Sequence, residues 1–112
     1  MDDTERLRDI ERLLDIGRGS IKNMRKHFQG HREILEMLKE QEKLLHDFGL
    51  AEVSIVHLKR RVDRNELPSF AANMIGKGLA SHSASLQDQI ETTSWVITQM
   101  IMGKTTGVVV TA

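Results

Sequence analysis

The chain has 112 residues, 39% of them hydrophobic, with 16 basic and 16 acidic side chains in balance. That neutrality removes the overall charge signature of a polyanion-binding or membrane-surface protein. The absence of cysteine excludes disulfides and thiolate metal sites and fits a reducing cytoplasm. The charged N-terminus carries no apolar signal region. The longest apolar run, Trp95 to Met102, is interrupted by Thr98 and Gln99 and falls far short of a membrane span.

Periodicity is the strongest feature. Leu7, Ile10, Leu14, Gly17, Ile21, Met24, Phe28, His31, Leu35, Leu38, Glu42 and Leu45 advance by alternating steps of three and four, the pattern of a heptad seam. The spacing predicts one long helix over 3–48, started by Asp2 with Glu5 three residues on, bent or broken near Gly17, and stopped by Gly49. Leu13, Ile16, Ile34, Met37 and Leu44 form a second stripe that widens the apolar face at both ends, as a bundle requires. His31, inside the seam, reads as a polar layer that sets register.

Beyond Gly49, Ala51, Ile55, Leu58 and Val62 predict a helix over 50–66, ended before Pro68. A short helix over 68–75 follows. The serines and glycines of 76–85 read as a hinge, and a last helix spans 86–102, capped by Ser85 and stopped by Gly103. The expected fold is therefore all-α: a single helical domain over 1–103, built on an antiparallel hairpin of a long N-terminal helix and a second helix, plus a C-terminal helix. Residues 104–112 read as a flexible or extended tail. Three short faces cover a long one incompletely, so a coiled-coil bundle that forms a homo-oligomer is expected, with Leu7, Ile10, Leu14, Ile21, Met24, Phe28, His31, Leu35, Leu38 and Leu45 as the oligomerisation seam.

Charge is ordered along the chain. Residues 1–16 and 33–47 are each net acidic, whereas 17–32 hold five bases and no acid. Folding back at Gly49 would set Lys59, Arg60, Arg61 and Arg64 opposite Glu33, Glu36 and Glu40, and would leave Arg18, Lys22, Arg25, Lys26 and Arg32 uncompensated. Arg18, Arg25 and Arg32 recur every seven residues and flank the seam. No acid occupies the facing heptad position of a parallel dimer, so these bases call for an acidic protein partner. Nucleic acid is the alternative partner, although aromatics interleave poorly with the bases: only Phe28, Phe48, Phe70 and Trp95 occur.

Catalytic and cofactor motifs fail on inspection. "MGKTTGVVV" lacks the first glycine of a phosphate-binding loop, where Thr98 stands, and follows a helical pattern instead of a strand. His27 and His31 in "HFQGH" are spaced to share a metal on a continuous helix, but no third ligand is placed to join them. There is no nucleophile elbow and no isolated carboxylate pair. The sequence points to a non-enzymatic coiled-coil oligomerisation or protein-interaction module, without cofactor or membrane, acting as adaptor, scaffold or chaperone-like protein. A helical nucleic-acid-binding regulator using Arg18, Arg25 and Arg32 is one alternative. The other is a structural component of a secreted or viral assembly whose Val-rich tail adds a strand to a neighbour.

Overall fold

The computed structural model describes residues 2–106. Among them are three α-helices and no strand: α1 (Asp3–His27), α2 (Arg32–Asp63) and α3 (Ser69–Thr106). They pack as an up-down-up array in which α2 is central and carries both neighbours. The molecule is a rod of 59 × 26 × 20 Å, its long axis close to the roughly 57 Å expected of a 38-residue helix at 1.5 Å per residue.

The start of α1 is as its sequence predicts. The Asp2 carboxylate accepts the Glu5 backbone N–H at 2.9 Å, and Asp3 and Glu5 lie in the first turn, where the helix dipole favours acids.

The predicted helix over 3–48 is instead two helices. The chain reverses at Phe28–His31, where the Phe28 N–H closes on Met24 O at 2.9 Å and the His31 N–H on Phe28 O at 3.0 Å. Neither Gly17 nor Gly49 is a break or a stop. Gly17 lies within α1 and Gly49 is buried in the middle of α2. Each is a notch for a leucine of the other helix. A Cβ on Gly17 would stand 2.7 Å from Leu45 Cδ2, and one on Gly49 would stand 2.6 Å from Leu14 Cδ1. The heptad seam therefore closes on itself within a short hairpin.

That register corrects the expected charge pairing as well. Asp3, not Glu33, Glu36 or Glu40, takes the bases at the end of α2, with Arg60 at 3.3 Å and Lys59 at 3.8 Å. Arg61 pairs with Glu66 at 3.5 Å.

The second reversal keeps the predicted boundary at Pro68. Asn65 sits in the left-handed region at φ 58°. The Glu66 N–H reaches Arg61 O at 2.9 Å and the Asn65 N–H reaches Val62 O at 3.0 Å. This is the paired bonding of a Schellman cap, and asparagine tolerates its αL position. Proline then opens α3, its carbonyl accepting from Ala72 N at 3.1 Å.

From there one helix runs unbroken through the expected hinge at 76–85 and past Gly103. Tertiary packing outweighs the weak helix preference of its glycines and serines. Ser83 and Leu86 are buried against α2, and Gly76 meets Leu58 at ordinary contact distance. Ser85 is therefore not a cap; it lies mid-helix and accepts a hydrogen bond from Gln89 at 3.3 Å.

The core follows α2. Ile34 and Leu38, fully buried, join Ile21 of α1 and Ile97 of α3. A second cluster brings Leu44 and Ala51 against Leu86. A central helix needs two apolar flanks, and the second stripe on α2 supplies the one facing α3: Ile34 and Leu44 are buried. The same stripe on α1, Leu13 and Ile16, remains exposed.

Candidate partner-binding groove

Of the expected seam, Ile10, Ile21 and Leu38 are buried, and Leu7, Leu14, Met24, Phe28, His31, Leu35 and Leu45 are half-buried within the same chain. Leu45 covers Gly17, Leu14 covers Gly49, and Ile21 with Leu38 anchors the three-helix core. Glu42, expected in the seam, is exposed, and its neighbour Gln41 is buried instead. The phase of the stripe resets across the turn at Phe28–His31.

The hairpin places the basic segment of α1 beside bases of α2. Between them runs an open groove of about 850 Å³. Arg18, Lys22, Arg25 and Lys26 come from α1, and Lys39, Lys43 and His46 from α2, with Gln29 at the turn end and Leu35 as an apolar contribution. Helical spacing explains both banks: 18, 22, 25 and 26 share one flank of α1, and 39, 43 and 46 share one flank of α2.

Among the described residues Glu42 is the one acid lining the groove, and it is held by the Arg25 guanidinium. Arg18 stands 3.8 Å from Asp15 at the margin. No ion pair engages Lys22, Lys26, Lys39 or Lys43 among the described residues. Arg32, expected to join the arginine ladder, does not line the groove. It extends from the start of α2 toward Glu36 at 3.3 Å, almost wholly exposed.

The bases on α2 were not singled out from the sequence. Their signal is present in the spacing of Lys39, Lys43 and His46, but it matters only once α1 and α2 are known to lie side by side.

The paired histidines do not lie on one continuous helix. α1 ends at His27, so His31 is not one turn further along the same helix. Phe28 lies between their rings, edge-on to each at centroid distances of 4.9 and 5.7 Å. Among the described residues no three histidine or carboxylate side chains gather as a metal ion requires. No helix there is long and apolar enough to cross a membrane. The "GKT" of 103–105 continues α3 as helix, where a phosphate-binding loop would have to turn its amides inward.

Comparison with protein families, with characterised proteins and with solved structures finds no match to this chain.

Proposed function

We propose that the chain is a non-enzymatic, coiled-coil-type helical module for protein interaction, an adaptor or assembly scaffold, whose α1/α2 groove receives an acidic segment of a partner. The observation that carries this reading is the groove itself. Two banks of bases face one another across it, and four of its lysines have no carboxylate partner among the described residues. A partner helix with glutamates on its flanks and an apolar residue against Leu35 matches that lining. Rim ion pairs of this kind set orientation and association rate more than affinity.

The experiment is a titration of a fluorescein-labelled, Glu-rich amphipathic helical peptide, followed by anisotropy. Saturable binding at low salt, lost in a variant carrying Lys22→Glu, Lys26→Glu, Lys39→Glu and Lys43→Glu, is the expected result. No binding by the native chain contradicts the reading.

The same bases keep a nucleic-acid reading in view. Phosphate binding requires affinity to fall steeply with salt. Among the described residues the one ring lining the groove is the His46 imidazole, with no Phe, Tyr or Trp for stacking bases, which favours the acidic peptide. A labelled single-stranded oligonucleotide in the same assay separates the two. The expected role of the Val-rich tail in an assembly falls on 107–112, outside the described residues.

A further inference from the structure

α3 is poor in charge. Histidine aside, it holds four charged side chains in 38 residues, where α1 holds twelve in 25. Its inner line, Ser83, Leu86, Ile90, Thr93 and Ile97, is buried or half-buried against the α1/α2 hairpin. Close to half a turn round, a second line runs from Phe70 to Trp95 by the same three-four steps, and each of its side chains is exposed. Phe70 and Met74 open this outer line and Trp95 closes it, all three more than 60% exposed. Single exposed apolar residues are ordinary. A helix that is apolar on two opposite faces is one built to be covered on both, and aromatic and methionine side chains on a face depleted of charge have the composition of an interface.

The order of residues along the outer line is self-complementary. Its charges are Lys77 in the first half and Asp88 and Glu91 in the second, and among the described residues none of the three is in an ion pair. Lys77 and Asp88 are equally far in sequence from a point midway between 82 and 83. So are Phe70 and Trp95, and so are the small residues Ser81 and Ala84. A second α3 laid antiparallel, with a two-fold axis through that point, sets Lys77 against Asp88 of the copy, with Glu91 one turn beyond. It sets Phe70 against Trp95, and small side chains against small ones at the axis. Laid parallel, Lys77 would meet Lys77 and Asp88 would meet Asp88. The positions beside the line, among them Gly78, Ala80, Ser85 and Gln87, carry no charge to oppose a close approach.

We propose that a second copy of this chain covers the outer face of α3 in an antiparallel two-fold dimer, Lys77 of each copy against Asp88 and Glu91 of the other, and Phe70 and Met74 against Trp95. Two-fold symmetry makes a contact between residues i and j recur as one between j and i, so every match is made twice. The charge order selects a second copy and its direction, and the apolar ends supply the contact. Buried tryptophan anchors dominate many interfaces, and methionine packs well on an aromatic ring. This interface differs from the seam expected in the sequence, which the hairpin uses internally. The basic groove takes no residue from α3 and is not involved.

Trp95 is the sole tryptophan, so its emission reports on this face alone. The experiment combines sedimentation equilibrium with tryptophan emission over a dilution series of the full chain. The expected result is a dimer whose emission moves to shorter wavelength as mass rises. Trp95→Ala should weaken association by at least about thirtyfold, the range of an interface hot spot. Lys77→Glu, and separately Asp88→Lys with Glu91→Lys, should each weaken it at least about tenfold by setting like charges together. Helicity should be unchanged in all of them, because these side chains are exposed in the single chain. Mixing the two charge variants should restore association, since each supplies the charge the other lacks. Lys22→Glu with Lys43→Glu should dimerise like the native chain, so failure of the groove reading leaves this result intact. A monomer at every concentration overturns the proposal, as does a dimer that Lys77→Glu leaves unaltered, or a mixture that associates no better than its parts.

Discussion

Leu45 of α2 rests on Gly17 of α1, so close that a Cβ on the glycine would stand 2.7 Å from Leu45 Cδ2. Leu14 covers Gly49 in the reciprocal way, with its two methyls at 2.6 and 3.0 Å from the same construction. The two pairs lock the register of the hairpin from opposite sides, and that register sets the banks of the basic groove.

The glycines should therefore respond differently to substitution. Gly49→Val adds branched volume where two Leu14 methyls already close the space, and should cost about 1–3 kcal/mol by overpacking. Leu14→Ala in that background should recover part of the loss, because the pair is coupled. Gly17→Ala should lie near neutral. Only one Leu45 methyl must move there, and alanine gains about 1 kcal/mol of helix propensity over glycine. Urea denaturation of the three variants measures each value.

Gly19 and Gly78 have open space where a Cβ would stand, and both lie inside helices. Alanine at either position should stabilise the fold by about 0.5–1 kcal/mol. Gly78→Ala is the sharper test, since a hinge at 76–85 would gain little from helix propensity. Thermal unfolding followed by circular dichroism distinguishes the two outcomes.

The contrast among these glycines shows where the sequence was legible. Helical class, the Asp2 cap and the boundary at Pro68 rest on local chemistry, and each appears in the structure. The hairpin at Phe28–His31 did not show, because Phe28, His31 and Leu35 keep the three-four spacing straight across the turn. Gly30 lies in the turn while Gly17 and Gly49 admit a leucine. A single sequence marks both uses with the same residue, and only the facing helix separates them. The same ambiguity put Glu42 in the seam where Gln41 is buried. It also hid Lys39, Lys43 and His46 from the groove, while Lys22 and Lys26 were legible as bases without a carboxylate partner; Arg18 and Arg25, read as uncompensated too, pair with Asp15 and Glu42.

Glu52 joins all three helices. It accepts Arg6 of α1 at 2.7 Å and the Ser83 hydroxyl of α3 at 2.5 Å. Glu52→Ala should cost about 1.5–3 kcal/mol, the range for hydrogen bonds to a charged group. Most of that loss belongs to the sheltered Ser83 side, since the Arg6 side chain is half exposed and exposed ion pairs contribute only about 0.2–1 kcal/mol. Ser83→Ala alone should cost about 1 kcal/mol, and combining it with Glu52→Ala should be less than additive. A double-mutant cycle in urea checks the coupling.

In the proposed function, bases from α1 and α2 act together on one acidic partner segment. Charge reversal on each bank separately, Lys22→Glu on α1 and Lys43→Glu on α2, tests it most directly in the peptide titration. Either change should weaken binding of the Glu-rich helix about tenfold or more, with the folded helicity of both variants preserved. Reversal on one bank that leaves affinity unaltered would contradict it, because the two helices would then not share a single site.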